Sequence, residues 1–469
     1  MILRRRTRRV AGQLVSADAG YRFAVPSGYF LKAFCLTAAM ATYPITTFAE
    51  GPRFSLEARH YISLGFDDAD PNQAELVLEP EMEYDFSHRL SATISARLRI
   101  DAADNLDPGR PNTSGYSDIN GVLEIDDVAI LELRDAYIDI DLDTAFLRLG
   151  KQQIVWGELE GFRLLDVVNP QNFREFILDD FDDSRIGIWA ASAEVSIPGD
   201  RFGDWQAHLV WAPDPTVSEI PVAGAVFELR APRFLFGAEP GILPLGGVRT
   251  EAPDNLLGDA SYGGRLVGLA SGWDLSFVVF SGIDPEPVGM IGATPAGPEV
   301  VRTYKRRTVV GGSAATTLGP LTARFEIAAQ PDRAFTTQIP GGGLESAEAA
   351  QIGTALVLDF RAPFDTFIST QILYDRVIDP PAGLTRPRDD VLTSVFATRD
   401  FLSGDLAASV RWLASDGGGD GVISPKLVWA LSDSTHISIG ADIFYGERTD
   451  IFGQFDDQDR VTFSIRKTF

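Results

Sequence analysis

Strict alternation of apolar and polar residues is the feature that most limits what this chain can fold into. Residues 75–86 read ELVLEPEMEYDF, in which acidic residues alternate with large apolar ones. Successive side chains of a β-strand point to opposite faces, so this pattern predicts a strand with one apolar and one charged face. Residues 90–101 continue the alternation. In a soluble sandwich the apolar face would form the core, whereas in a membrane barrel it would face lipid and the charged face would line the lumen.

The charged faces of these two strands are complementary. A turn at residues 87–89 pairs Phe86 with Leu90 and sets an acidic row opposite a second row that ends in arginines; the charged residues are Glu79, Glu81, Glu83, Arg97 and Arg99. Opposite charges across a strand pair stabilise it. The two rows are either a salt-bridge network that stiffens a wall or a pore lining with a transverse field, and the sequence leaves both open. Arg411 and Arg466, at lumen-facing positions of late strands, are further candidates for the lining.

The spacing of turn residues divides the chain into about eighteen strands, within a range of roughly 14 to 18. Their connections alternate. Short turns fall near 87–89, 142–144 and 271–272, and mostly longer connections rich in Asp, Gly and Pro fall between them, as at 157–184, 214–258 and 331–348. One of the predicted barrel strands covers residues 300–318. A soluble sandwich has no reason to place its longer loops on one side. The layout therefore predicts an all-β, antiparallel transmembrane barrel over residues 50–469, as one domain.

The two ends of the chain favour export to the outer membrane. Residues 1–49 begin with a cluster of arginines, continue through an apolar stretch at 33–41 and end in a small-x-small sequence, which is typical of a signal peptide. The final residues, DRVTFSIRKTF, form an amphipathic strand that ends at Phe469. Such a strand resembles the signal read by the barrel assembly machinery, so we expect that machinery as a partner and the bacterial outer membrane as the location.

Charge and composition exclude several classes of function. The formal net charge is −25; the first 49 residues carry seven basic residues and one acid, so the remainder carries −31. Such a chain is a poor nucleic-acid binder, because phosphate contacts need a basic surface. The single cysteine, Cys35, leaves no thiolate metal site or disulfide framework, and we expect no metal and no cofactor. The acids of LDDFDDSR (178–185) are interpreted as solvated loop residues, with divalent bridging to lipopolysaccharide as a weaker option.

Enzymatic function is not favoured by the histidines. His436 shares a strand face with Ser438 and Asp442, which superficially suggests a triad. Each two-residue step along a strand is about 7 Å, so these side chains are too spread for a hydrogen-bonded relay. We therefore expect no catalytic residues. An outer-membrane hydrolase is kept as the third hypothesis.

The third long connection is expected to fold into the barrel. Asn169 is a good helix N-cap and Pro170 suits the first helical position, and Phe173, Phe176 and Ile177 would then share one helical face. A short helix laid against the inner wall would narrow the pore. The charged residues expected at this constriction are Arg163, Asp166, Arg174 and Glu175. The alternative is a helix that caps the barrel mouth. Trp156 and Gly157, just before this segment, are expected near the outer membrane interface.

The same region resembles a known family. Gly150-Lys151-Gln152, Trp156-Gly157 and Asp166 to Pro170 (DVVNP) are similar to the pattern of a proteobacterial outer-membrane family catalogued as a domain of unknown function. Near the end of the chain, residues 442–446 and 452–459 fit the family as well; the motif positions singled out are Gly150, Gln152, Trp156, Gly157, Asn169 and Pro170. The resemblance implies a porin-like channel, often encoded near RND-type exporters and linked with hydrophobic or organic compounds.

We therefore expect a passive channel or uptake porin for small organic, and potentially hydrophobic, solutes. Its other partners would be outer-membrane lipid and lipopolysaccharide. The second hypothesis is a structural or partner component of an RND-type export system. Conductance separates these two hypotheses, and lipid or ester turnover lost on replacement of His436 would reveal a hydrolase.

Overall fold

The computed structural model describes residues 51–66, 71–109, 114–159, 161–199, 203–237, 248–295, 297–341 and 343–469. The expected signal peptide, 1–49, and Cys35 lie outside the described residues. Within them the strands are β1 (Arg53–Gly65), β2 (Pro71–Ser87), β3 (Leu90–Asp101), β4 (Leu123–Asp126), β5 (Ala129–Leu142), β6 (Ala145–Gln152), β7 (Ile188–Ile197), β8 (Trp205–Ala212), β9 (Val248–Glu251), β10 (Ser261–Ala270), β11 (Trp273–Ile283), β12 (Val288–Thr294), β13 (Gly297–Thr303), β14 (Arg306–Leu318), β15 (Leu321–Ile339), β16 (Gly343–Ala362), β17 (Thr366–Ile378), β18 (Asp389–Phe401), β19 (Leu406–Ser415), β20 (Asp420–Ser432), β21 (Thr435–Tyr445) and β22 (Arg460–Thr468).

Eighteen of these strands form a closed antiparallel barrel, which confirms the predicted fold class. Each barrel strand pairs with the next one along the chain, and β1 pairs with β22 from Glu57↔Thr468 to Gly65↔Arg460, which closes the sheet. The short strand β4 pairs only with β5, and β9, β12 and β13 form a separate small sheet. Closure leaves the barrel without an unpaired edge, which is what allows a sheet to exist in lipid.

The alternation seen in the sequence separates the two faces of the wall. On β11, Phe277 and Val279 are each 55% exposed on the outside, while Val278 and Phe280 between them are each 1% exposed on the inside. Large exposed apolar side chains recur on other strands, including Leu209, Leu427 and Ile439. A surface of this kind facing water would promote association, whereas around a barrel it is the band that contacts hydrocarbon.

The pairing of β2 with β3 confirms the predicted register. Glu83 lies opposite Thr93 and Glu81 opposite Ser95. The turn is tighter than expected, because Ser87 rather than Phe86 pairs with Leu90. A bulge between Asp85 and Ser87 absorbs the extra residue and leaves the register above it unchanged.

The connections alternate as predicted, with two corrections. The segment 331–348, expected as a loop, continues β15 and β16 through a bulge between Gln330 and Arg333. Asp332 at this bulge accepts hydrogen bonds from the amide and hydroxyl of Thr308 on the neighbouring strand. These bonds stabilise the bulge, so the two strands stay paired beyond it. Residues 300–303, expected at the start of a barrel strand, belong to β13 of the small sheet instead.

Within the described ranges, one α-helix is present, the four-residue α1 (Phe181–Ser184), in the connection between β6 and β7. Short 3-10 turns occupy Pro363–Asp365, Leu402–Gly404, Asp416–Gly418 and Gly453–Gln458. None of the helices in the described part is long and apolar enough to cross a membrane.

The interior of the barrel is occupied by its own connections. Residues 153–187, here called the lumen loop, pack apolar side chains against the inner wall at three places. Residues 213–237, here called the second inserted segment, lie beside it, and Phe227 packs between Phe444 and Phe455. The core of this protein is therefore the contact between the inserted connections and the wall.

Candidate functional site

The lumen loop leaves the wall after β6 and crosses the barrel. Ile154 and Leu165 pack on the strands around Val309, Leu159 reaches Val357, and Gly161 approaches Leu413. These contacts lie on different sides of the barrel. The connection therefore folds into the barrel, as predicted. It does not cap the barrel mouth, which was the alternative.

Trp156 is buried inside the barrel, so its expected position near the outer interface is wrong. Its indole is 0% exposed and packs edge-on against Phe280, with ring centroids 6.0 Å apart. Its Nε1 donates a hydrogen bond to Nδ1 of His208 at 3.1 Å. The sequence placed Trp156 at the end of a strand, but β6 ends at Gln152 and the chain then turns inward, where the indole fills the apolar part of the wall.

Asn169 does not cap a helix. The amide of its side chain donates to the carbonyls of Gln152 and Ile186, and its Oδ1 accepts from the Ile154 amide at 2.7 Å. It thereby ties the two ends of the lumen loop together. Pro170 accordingly begins no helix, and the helix predicted to carry Phe173, Phe176 and Ile177 is wrong. The α-helix of this loop is α1, which lies later in the chain. Because the side-chain amide of Asn169 is already hydrogen-bonded to the backbone of the loop, it cannot accept from the N-terminal amides of a helix.

Other motif residues also shape the entry and exit of the loop. Gly150 has φ +134°, and a Cβ there would lie 2.1 Å from the Ala136 carbonyl oxygen. Gln152 donates to the Ala190 carbonyl and accepts from the Ser192 hydroxyl. A Cβ on Gly157 would lie 2.8 Å from the Asp166 nitrogen. Gly150 and Gly157 therefore have no room for a side chain, and Gln152 is held by hydrogen bonds to β7.

Arg174 joins the lumen loop to the wall. It is buried, and its guanidinium contacts Glu75 at 2.9 Å, Asp101 at 3.1 Å and Asp107 at 2.5 Å. Glu75 also contacts Arg99 at 2.9 Å. The charged face predicted on β2 and β3 thus meets the loop as well as its own cross-strand partners.

Glu175 makes the opposite kind of contact on the neighbouring strands. Its carboxylate contacts Arg460 of β22 at 3.2 Å and accepts hydrogen bonds from Gln73 and Tyr61. Arg460 also contacts Asp442 at 2.8 Å. Two consecutive loop residues of opposite charge are therefore both matched, which fixes the register of the loop against the wall.

Asp183 is a further anchor that sequence reasoning treated as a solvated loop acid. It contacts Arg59 at 2.7 Å and Arg97 at 2.6 Å, and Arg134 donates to the carbonyls of Asp182 and Asp183. Burial opposes ionisation of Asp183, but the charges of Arg59 and Arg97 outweigh it and hold its pKa well below the usual range. No spacing along the chain marks this residue, because its partners Arg59 and Arg97 lie on β1 and β3.

The other predicted lining residues are spread over the barrel. Arg163 and Arg185 both contact Asp166 at 2.8 Å, within the lumen loop. Arg411 donates to the Leu178 carbonyl at 3.0 Å. Among the wall residues, Glu79 pairs with Arg97, Glu81 lies opposite Ser95, Glu83 pairs with Arg53 near the short turn, and Arg466 pairs with Glu57. Whether any of them selects solutes stays a prediction.

The suspected triad is not assembled. The Ser438 hydroxyl is hydrogen-bonded to Ser464 at 2.8 Å, and Asp442 accepts from Ser424 and Arg460. Neither contact involves His436. Across the described ranges, no group of three or more His, Cys, Asp or Glu side chains is arranged to bind a metal ion.

The sequence profile of a family described as "Protein of unknown function (DUF1302)" matches residues 66–388. No curated protein matches the chain in sequence. Among solved structures, OccAB4 of Acinetobacter baumannii is similar with a TM-score of 0.50 and 11% identity, covering 91% of this chain and 100% of that one. OccK5 (OpdH) of Pseudomonas aeruginosa has a TM-score of 0.49 and 12% identity, covering 90% and 99%. At 11% identity, the likeness to OccAB4 shows a shared β-barrel fold.

Proposed function

The chain belongs to the family described as "Protein of unknown function (DUF1302)", and from this membership and its occupied lumen we propose that it is an outer-membrane channel for small organic solutes. The observation that carries the proposal is a closed barrel whose inner wall is charged and whose lumen is crossed by a loop held through ion pairs as well as apolar contacts. A band of exposed apolar side chains on the outer face supports placement in the outer membrane.

The ionic attachment of the lumen loop is what favours a channel over an inert wall. Arg59, Arg97 and Arg460 on neighbouring wall strands meet the loop carboxylates of Glu175 and Asp183. A polar solute can compete for one partner of a buried ion pair, because each charge needs a match, whereas close-packed apolar side chains offer no such exchange. The loop would move enough to let a solute pass while the barrel stays closed.

The predicted constriction residues take two roles in this proposal. Arg174 and Glu175 anchor the loop to the β1, β2, β3 and β22 side of the wall. Arg163 and Asp166 lie earlier in the loop and pair with each other. The selective surface would be formed by loop residues that become exposed when an anchor is released.

Planar-bilayer recording tests the channel directly. The wild-type barrel should show small, fluctuating conductance, and a variant in which residues 157–184 are replaced by a short Gly-Ser linker should show a larger and steadier one. Replacement of the exposed turn Leu402–Gly404, which lies away from the lumen loop, by Gly-Ser-Gly is the control and should leave conductance unchanged. Absence of conductance from a correctly folded loop-deletion barrel would refute the channel.

The breadth of the loop contacts favours one second candidate. Because the lumen loop touches several sides of the wall, a barrel that never opens could serve as an outer-membrane partner of an RND-type export system. A non-conducting loop-deletion barrel that co-purifies with such a system would favour this candidate. Contacts with the barrel assembly machinery and with lipopolysaccharide would be shared by both.

A further inference from the structure

A cavity lies between the β3–β5 wall, the connection that joins these strands, and the two inserted segments. Its lining includes Tyr116, Ile130, Glu132, Arg174, Glu219 and Ile220. Because β3 runs away from the short turn at its start, the cavity lies towards the end of the barrel that carries the long connections. It borders the lumen loop at the point where a solute entering from that end would first meet it.

The arginines of this cavity are already matched by carboxylates. Arg97 contacts Glu79 and Asp183, Arg99 contacts Glu75, and Arg174 contacts three acids. Their positive charge is therefore directed away from any occupant of the cavity. An anionic solute would have to displace these pairs to bind.

Two carboxylates of the same cavity each have one oxygen without a hydrogen-bond partner among the described residues. Glu219 is 3% exposed and Glu132 is 6% exposed. Over the residues that the structure describes, Oε2 of Glu219 and Oε1 of Glu132 have no hydrogen-bond partner. Both charges act on the Tyr116 phenol: burial first, and then Glu132 and Glu219, raise its pKa well above the usual value. The three polar groups thus face a common space.

The position of Glu219 is fixed by backbone contacts. Its amide donates to the Gln171 carbonyl at 2.8 Å, and its carbonyl accepts from the Phe173 amide at 3.0 Å. Its Oε1 accepts from the Gly115 amide at 2.5 Å, and a Cβ on Gly115 would lie 2.7 Å from that oxygen. One carboxylate oxygen is therefore held by the protein and the other is presented to the cavity.

We propose that this cavity is a binding subsite for small organic ammonium ions, which place the cationic nitrogen between Glu132 and Glu219. An ammonium group supplies three N–H donors and a positive charge, which is what two buried acceptor oxygens lack. The organic part of the solute would lie against Ile130 and Ile220. The face of the Tyr116 ring would add a cation–π contact with the ammonium group.

This inference rests on the proposed channel and names one class of solute that it would admit. Binding can nevertheless be measured without conductance. The full barrel, folded in detergent, is titrated calorimetrically with n-butylammonium, n-butanol and butyrate, which share the same chain and differ in head group. We expect butylammonium to bind at least about tenfold more tightly than butanol, and butyrate more weakly than either.

The decisive variant is Glu219→Gln, because glutamine keeps the acceptor for Gly115 and converts the free oxygen into a donor. It should weaken butylammonium binding roughly tenfold or more while leaving butanol unaffected. Glu132→Gln should do the same, and Glu345→Gln, on the half-exposed start of β16, is the matched control that should not. Folding of each barrel is checked by heat-modifiable migration on gels.

Three results would overturn the inference: equal binding of butylammonium by wild type and Glu219→Gln, an equal loss in Glu345→Gln, or tighter binding of butyrate than of butylammonium. The last would mean that the arginines dominate the cavity. Binding without conductance would support the subsite and refute the channel, and conductance without binding would do the reverse.

Discussion

Replacing Arg174 by Gln should release the lumen loop without unfolding the barrel. Arg174 neutralises Glu75, Asp101 and Asp107, whose side chains are 5%, 7% and 19% exposed. Removing one partner of a buried ion pair typically costs about 3–5 kcal/mol, because the charge left behind is unmatched. Partial exposure of Asp107 favours the lower end of that range.

A loss of about 3 kcal/mol changes the ratio of docked to released loop by roughly a hundredfold. The eighteen-strand wall does not depend on Arg174 for its pairing, so the cost should appear in the loop and not in the barrel. We expect Arg174→Gln to raise the open probability in planar bilayers. We also expect faster chymotrypsin cleavage within residues 153–187, with unchanged heat-modifiable migration.

Two further variants make this test specific. Arg324→Gln removes a wall ion pair with Asp359, at 2.5 Å, and should leave both readouts unchanged. Adding Asp101→Asn to Arg174→Gln removes one stranded charge while keeping an acceptor for the Ala74 amide, so part of the docked population should return. Wild-type conductance and protease resistance in Arg174→Gln would refute the reasoning.

Three other outcomes follow from the same contacts. Three outcomes are stated in turn, beginning with Asp183. Because the pKa of Asp183 is lowered, its contribution to docking of the lumen loop is complete above about pH 3.8 and is lost as the pH falls further. Conductance should therefore be unchanged at pH 5. Asp183→Asn should reproduce at neutral pH the conductance that wild type shows in strong acid. Burial, reinforced by Asp107, raises the pKa of Glu219 to about 8, so below that pH a proton competes with a cation for its carboxylate. The other titratable groups that face it are Asp107, Tyr116 and Tyr304. Affinity for butylammonium should therefore rise as the pH approaches 8, and the same rise in Glu219→Gln would contradict the assignment to Glu219. Gly150→Ala should lower the yield of heat-modifiable barrel, because a side chain at φ +134° adds backbone strain of at least about 1–3 kcal/mol. Gly319→Ala, where no atom lies within 4 Å of the added Cβ, is the control and should have a milder effect. Equal yields would refute the geometric role of Gly150.

The barrel was predictable because its determinants are local. Period two assigns the faces, and turn residues mark the ends, so the strands and the Glu83–Thr93 register follow from neighbouring residues. The errors lie where a local pattern met a distant partner. Pro331 and Asp332 look like a loop, but Asp332 binds Thr308 of the adjacent strand and β15 continues.

The lumen was less predictable, because its contacts join residues far apart in the chain. Alternation along each strand was enough to predict a closed barrel with an apolar outer face. The inward course of the third connection was predicted from a helix after Asn169 that the structure does not have, so its contacts with the wall came from the structure alone. Only the tertiary structure decided that Asn169 ties the loop ends, that Asp183 is an anchor and that Glu132 and Glu219 share a cavity. The physical reason is that ion pairing and burial depend on which groups meet across the lumen, and no spacing along one strand encodes that meeting.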